Sequence, residues 1–248
     1  MKLFLRGLLI FTVLTLVWQA AVMTSHIPDY LLPSPWQIWI TLCQSYPLIL
    51  SQAWPTLLET LLGFSLGILF GCLAGLMITF FRPLRAWFWP LLIVSQAVPT
   101  FAIAPLLVIW LGYGLASKVA TTVLMVFFPV ASALHDGLRH TESGWLDLAA
   151  TMNARPWRVF WHIRLPAALP ALASGIRIAA VAAPVGAIIG EWVGASSGLG
   201  YLMINANARM QIDMMFAALT GIMVLALSLY YLVDRLLRAL IAWDTPPA

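Results

Sequence analysis

Long apolar runs separated by short, mostly basic breaks dominate the chain. The runs lack the strict alternation of a half-buried strand and are too evenly apolar for a helix that faces water on one side. Gly7–Met23 is uncharged and follows Lys2 and Arg6. It predicts a first transmembrane helix rather than a signal peptide, because it outlasts a usual h-region and Trp18–Gln19 interrupts the approach to a cleavage site. His26–Trp54 is wetter; Pro28, Pro33, Pro35 and Pro47 break helices, and its tryptophans suit an extracytoplasmic interface. Pro55 sits where a second helix begins, and Thr56–Phe81 carries one charge, Glu59, before Arg82 and Arg85 close it. Ala86–Ser117 is uncharged and longer than the roughly 20 residues of one crossing, so it reads as a third span and an outer turn at Gly112–Gly114. Val119–Leu134 returns inward to His135, Asp136 and Arg139. The fifth span runs from Pro166 to Gly190, crossed only by Arg177, and Met214–Val233 is the last before Asp234, Arg235 and Arg238. The pattern predicts an all-α membrane protein of about six transmembrane helices, divided into an N-terminal helix and interfacial segment (1–54), a core (55–238) and a short tail (239–248).

Composition closes off other classes. Only 9% of residues are charged and 62% are hydrophobic, with a mean hydropathy of +0.94. A soluble domain carries roughly 25% charged residues, so a soluble globular enzyme is excluded and the lipid bilayer is the first partner. A net charge of +4 gives no indication of nucleic-acid binding. The placement of the charges is more telling than their sum. Six spans with the N-terminus inside put Lys2, Arg6, Arg82, Arg85, Arg139, Arg155, Arg158, Arg164, Arg235 and Arg238 in the cytoplasm, Lys118 and Arg209 outside, and leave Arg177 near the inner end of the fifth span. Positive charge is retained on the cytoplasmic side, so both termini are expected there. Cys43 and Cys72 are too few for a disulfide framework and read as unpaired packing residues.

Three features stand out within the spans. Gly63, Gly67, Gly71 and Gly75 recur every four residues on one face of the second span, which lets another backbone approach closely; helix contact inside the protomer is the first reading, a dimer seam the second. Gln96, Pro99, Thr100 and Pro105 interrupt the third span, and each proline frees a carbonyl that needs water or a polar partner. A solute pathway and a kink satisfied by neighbouring helices both fit. Two acidic residues lie at or near membrane depth. For Glu191, at the outer end of the fifth span, a role in an outer gate is expected, with Gly198 and Gly200 letting the following loop turn; for Glu59, an interfacial anchor. Trp192 and Tyr201 suit either stacking on a planar ring or a membrane-interface belt.

The stretch between the fourth and fifth spans, 139–166, is too long for a minimal turn. Trp145, Leu148, Ala149 and Met152 share one face of a short helix that Ser143 would cap and Asn153 would end, since Asn tolerates the left-handed conformation. Pro156 suits the first position of a second short helix bearing Trp157, Phe160 and Trp161. Two amphipathic stubs of this kind call for a protein partner or for the lipid headgroup layer.

Asp147-Leu-Ala149, Asn153 and Ile163-Arg-Leu165-Pro166 resemble the EAA loop of the membrane permease subunits of ATP-binding-cassette importers. In that loop an acidic-Ala-Ala triplet is followed after three residues by Gly and after nine more by Ile-x-Leu-Pro, and the spacing here is the same. Asp147 replaces Glu, Leu148 replaces the first Ala and Asn153 replaces Gly, each keeping the physical role. The resemblance covers about Pro55 to Arg238 and is nearest the branch importing sulfonates, nitrate and the pyrimidine precursor of thiamine. Glu191-Trp-Val-Gly194 with Gly198-Leu199-Gly200 is similar to that branch's signature, and Gly200 to Gln211 looks most like the hydroxymethylpyrimidine permeases. The resemblance implies a MetI-like permease fold and a multi-pass subunit of the bacterial inner membrane. It implies a coupling loop in which Asp147, Ala149, Asn153, Ile163, Leu165 and Pro166 contact the ATPase, with Trp157 and Phe160 on the adjoining apolar face. The implied partners are a second permease copy, two cytoplasmic ATPase subunits and an extracytoplasmic solute-binding protein. The implied solute is a thiamine pyrimidine precursor, with alkanesulfonate, taurine or nitrate as alternatives and an ATPase-independent channel or carrier as the alternative of another class.

Catalysis by the chain itself is not expected. The only lysines, Lys2 and Lys118, follow Met and Ser, whereas a phosphate-binding P-loop needs Gly directly before its Lys. ATP and Mg would belong to the partner ATPase, and no cofactor to this chain. His135, His140 and His162 have no metal-ligand spacing and read as solvent-side residues; no metal site is expected.

Overall fold

A computed structural model describes residues 2–25, 28 and 31–243. The described residues form helices and no strand. In chain order they are α1 (Lys2–Ser25), α2 (Pro35–Gln44), α3 (Tyr46–Phe80), α4 (Arg82–Ala97), α5 (Thr100–Leu111), α6 (Leu115–Arg139), α7 (Ser143–Thr151), α8 (Pro156–Val159), α9 (Leu165–Gly194), α10 (Leu199–Ala208) and α11 (Ile212–Leu240), with a π-turn at Phe160–Arg164 joining α8 to α9. Among the described residues, four stretches are long and apolar enough to cross a membrane: α3, α6, the continuous Pro156–Gly194 and α11. The first predicted span is α1, and the third is divided into α4 and α5.

Local chemistry explains the boundaries. The division between α4 and α5 falls at Val98–Pro99, where Pro99 cannot donate to a continuing helix and holds Val98 extended at ψ 119°. α2 crystallises out of the proline-rich segment because Ser34 accepts from the Gln37 N–H at 3.2 Å and Pro35 fills the first helical position. Pro55, expected to open a helix, lies inside α3, which begins at Tyr46. A spanning helix tolerates proline where water or a neighbouring polar group can meet the carbonyl it frees, here that of Ser51.

The chain divides into two compact units, Met1–Thr56 with Ser196–Met223, and Leu57–Ala195 with Val224–Ala248. In the first, Trp18 packs on Phe216 with ring centroids 5.6 Å apart, and the Thr41 hydroxyl donates to Asp213 at 2.8 Å. The start of α10 is held by two side chains of α3, with Gln52 accepting from the Gly198 N–H at 2.7 Å and Thr56 from the Leu199 N–H at 2.8 Å.

The second unit is built on α6. Its Thr122, Val126, Val130 and Leu134 meet Gly63, Gly67, Gly71 and Gly75 of α3 in parallel register. A methyl group at Gly71 would come within 2.8 Å of Val130 Cβ, and one at Gly75 within 2.9 Å of the Ala131 carbonyl. The small side of α9 closes on α6 from another direction: a methyl at Gly186 would meet Thr122 Cα at 2.7 Å, and one at Gly190 would meet Lys118 Cα at 2.8 Å. Two helices thus approach α6 almost backbone to backbone, the arrangement that small residues permit in lipid, where dispersion contacts replace the hydrophobic effect as the driving force. Around the seam, Phe64, Val126, Val130, Ala179, Ala180, Ala183, Leu229 and Val233 form the main buried cluster. Arg177, left unassigned by the charge count, donates to Asp234 of α11 at 2.7 Å, and Asp234 also accepts from Arg238 at 2.9 Å.

Candidate functional site

The α7–α8 segment is anchored at few points and exposed elsewhere. α7 starts at Ser143 with Glu142 in the cap position and no side-chain cap bond, so Ser143 does not cap as expected. Asn153 ends the segment with φ +52°, the left-handed conformation that its short polar side chain tolerates, and the Ala154 N–H returns to the Ala149 carbonyl at 3.0 Å. Of the apolar face, Ala149 is buried, while Trp145, Leu148 and Met152 are exposed, Met152 by 74%. Asp147 and Asn153 are exposed beside them. A groove of about 950 Å³ opens here, with Trp145, Met152, Arg158, His162 and Trp243 among the residues along its walls.

α8 corrects the sequence reading in two ways. It is not a separate stub, since the helix continues through the π-turn into α9 as Pro156–Gly194. Its aromatic face is also split: Trp157 is 65% exposed, but Phe160 is 8% exposed and turned inward. Phe160 packs on Phe80 with centroids 4.8 Å apart and joins Leu134, Leu138 and Ala168 in a buried cluster. Phe160 is thus withdrawn from the exposed face it was expected to share with Trp157. Ile163, Leu165 and Pro166 are half-buried along the same turn.

The predicted pathway residues fall on α4, at the start of α5, on α9 and at the start of α10. Pro99 caps α5 and Thr100 opens it at the break; Gln96 lies on α4, with its side chain outside the described part of the structure. Trp192 is exposed. Gly198 has φ +116°, a conformation that side-chain-bearing residues rarely adopt, and with Gly200 is buried at the start of α10. Glu191 is buried within α9.

Sequence reasoning missed the main buried polar group. Glu59, expected as an interfacial anchor, accepts from Lys118 Nζ at 2.8 Å, and both side chains are buried. Lys118, expected in an outer loop, is therefore the partner of the one acid on α3. Glu191 also interacts with Glu59. A signal was available in the chain: Glu59 lies four residues before Gly63, so it extends the glycine face by one rung, and the pair has the same sequence separation, 59, as the glycine contacts Gly63 to Thr122 and Gly67 to Val126. At the other end of that face Thr79 meets His135, expected at the solvent side but buried here, with the Trp89 ring tilted against it at a centroid distance of 4.8 Å. The Thr79 hydroxyl donates to the Gly75 carbonyl at 2.7 Å, so the 2.9 Å contact leaves His135 Nδ1 as donor to the hydroxyl. Of the cysteines, Cys72 is half-buried beside the core clusters, whereas Cys43 is exposed and not a packing residue.

The chain is a member of the binding-protein-dependent transport system inner membrane component family, whose pattern matches residues 67–242. It is a permease subunit of an ABC importer. It is 51% identical to a probable ABC transporter permease protein of Haemophilus influenzae over 96% of this chain and 97% of that one. It is 34% identical to the formylaminopyrimidine transport permease protein ThiX of Halalkalibacterium halodurans, over 96% of both chains, and 33% identical to the riboflavin transport system permease protein RibX of Chloroflexus aurantiacus, over 96% and 90%. The MetNI methionine ABC transporter, solved in inward-facing conformations, shares the fold, with a TM-score of 0.67 and 19% identity over 79% of this chain and 97% of that one.

Proposed function

We propose that this chain imports a thiamine pyrimidine precursor, as one of two permease copies driven by two ATPase subunits and supplied by an extracytoplasmic binding protein. The observation that carries the coupling part is the exposed face of Trp145, Leu148 and Met152 on α7, beside Asp147 and a groove of about 950 Å³. A partner's apolar surface is the natural cover for such a face. α7 is continuous through short connections with α6 and, by way of the π-turn, with α9, so a displacement of α7 reaches both α6 and the α9 packed on it as a rigid-body movement. ATP and Mg act in the partner; this chain contributes differential contacts in the two states. The excess of basic residues beside this loop and at both ends of the chain supports a bacterial inner-membrane topology with both termini in the cytoplasm.

The solute reading is supported by the resemblance over Gly200–Gln211 and by the likeness to ThiX. RibX, nearly as similar, makes a flavin the competing heterocycle. The test is co-purification with a candidate partner ATPase, followed by ATPase assay with the binding protein and each of formylaminopyrimidine, hydroxymethylpyrimidine, riboflavin and taurine. Stimulation by a pyrimidine-loaded binding protein is expected; stimulation by riboflavin or taurine alone overturns the solute. Asp147→Arg is expected to abolish uptake with membrane insertion intact, and normal uptake in that variant overturns the docking assignment.

A further inference from the structure

We propose that Pro166 is a positioning residue: by enforcing the π-turn at Phe160–Arg164 it sets the rotational register of the ATPase-contacting α7–α8 segment against α9, rather than acting by contact with the ATPase. The inference rests on the coupling role argued above for what the register is used for, but not for the register itself.

In the π-turn the Leu165 N–H reaches back five residues to the Phe160 carbonyl. Directly after it stands Pro166, which has no N–H and whose ring, in a regular α-helix, would collide with the carbonyl of His162 four residues earlier. Widening the turn by one residue moves that carbonyl out of the ring's way. π-turns are rare and cluster at functional sites, and the proline accounts for this one physically.

The consequence is geometric. One α-helical residue corresponds to about 100° of rotation, so absorbing an extra residue in a π-turn turns everything before it by about that angle relative to an unbroken α-helix. In the observed register Phe160 faces Phe80, Leu134, Leu138 and Ala168, while Trp157 and Trp161 stay exposed. Phe160 also touches both tryptophans, with centroids 6.2 and 5.4 Å away, so it is the one aromatic side chain of α8 and its turn that links the exposed face to the ends of α3 and α6. Without the π-turn, and with the same number of residues, Phe160 would rotate off this cluster and the face presented by α7–α8 would rotate with it.

The test separates register from docking. In a background with Cys43→Ser and Cys72→Ala, cysteine pairs are introduced at 80 and 160, or at 80 and 161, and disulfide formation is followed under mild oxidant. The pair through 160 is expected to form several-fold faster in the parent. Pro166→Ala, which restores the missing donor, should shift the preference toward 161 and lower uptake several-fold. Pro166→Ala combined with deletion of His162 removes the extra residue itself, so both the crosslinking preference and the uptake should return toward the parent. A proline acting by contact with the ATPase, or only as a helix starter, would not be rescued by that deletion. An unchanged crosslinking preference in Pro166→Ala, or the absence of rescue, overturns the proposal. If the preference shifts and returns as stated but no variant, nor the parent, retains the ATPase on purification, the register assignment stands and the coupling reading falls.

Discussion

The seam between α3 and α6 and the segment from α7 to the π-turn lie in the same compact unit but solve opposite problems. Along the seam the rungs are filled from within the chain: Glu59 by Lys118, Gly63 by Thr122, Gly67 by Val126, Gly71 by Val130, Gly75 by Leu134, and Thr79 by His135. A glycine face repeating every four residues would fit equally well if one helix slid by one rung, so the glycines alone do not choose a register. The ion pair at one end and the Thr79–His135 contact at the other break that degeneracy, a role for which buried polar pairs are well suited. The α7–α8 segment has a single inward anchor of comparable size, Phe160, and leaves Trp145, Leu148, Met152 and Trp157 uncovered. The lesson is that large apolar side chains in this protein do not by themselves mark the core, whereas small residues in a four-residue repeat do.

The comparison breaks hardest at Lys118. Lys118→Met leaves Glu59 buried without its cation and is expected to destabilise the protein by about 3–5 kcal/mol, with the double variant Lys118→Met/Glu59→Leu recovering part of the loss. A thermal melt in detergent that shows Lys118→Met no less stable than the parent would remove the ion pair from the account of register. Next comes overpacking where α9 lies on the other side of α6. Gly186→Leu forces a side chain against the Thr122 backbone and should cost at least about 1–3 kcal/mol, whereas Gly144→Leu, where a Cβ meets nothing within 4 Å, should be far milder. Equal melting temperatures for the two would show that α9 does not approach α6 as closely as described.

On the coupling side the expected stability effects are small and the transport effects large. Leu148→Asp and Trp157→Ala change exposed side chains and should shift stability by no more than about 0.5 kcal/mol while uptake falls strongly. Phe160→Ala is the control within the same segment: it removes a buried ring and should destabilise by about 3–5 kcal/mol, so its transport defect cannot be assigned to docking. Should Trp157→Ala destabilise as much as Phe160→Ala, the division of that aromatic face into an inner and an outer part is wrong. The smallest effect is expected at Ser143→Ala, within about 0.5 kcal/mol, because Ser143 makes no cap bond.

Much of this was legible in the sequence, for reasons that are local. Apolar run length against bilayer thickness gives the spans. Pro99 marks the division of the third span, although Pro90 and Pro105 stand inside α4 and α5, so proline names a candidate break and its neighbours decide whether the helix stops there. The left-handed Asn153 and Pro156 at the start of α8 are local signals as well. The spacing of Asp147, Ala149, Asn153 and Ile163-Arg-Leu165-Pro166 was enough to point to the importer permeases, and the likeness over residues 67–242 agrees.

What the tertiary structure alone decided were the partners of groups far apart in the chain. Glu59 and Lys118 are 59 residues apart, Arg177 and Asp234 are 57 apart, and Thr79 and His135 are 56 apart. A lone acid in an apolar span has the same local signature whether it anchors at an interface or pairs with a lysine on a neighbouring helix. Only the approach of α6 to the glycine face of α3 resolves it. The inward turn of Phe160 has the same origin. Counting residues at 3.6 per turn places Phe160 beside Trp157, but the extra residue of the π-turn and the ring of Phe80 decide which way it faces. Helix content, span length and breaks depend on interactions within a few residues and can be read along the chain, whereas rotation and pairing of helices depend on surfaces that exist only once the helices have met.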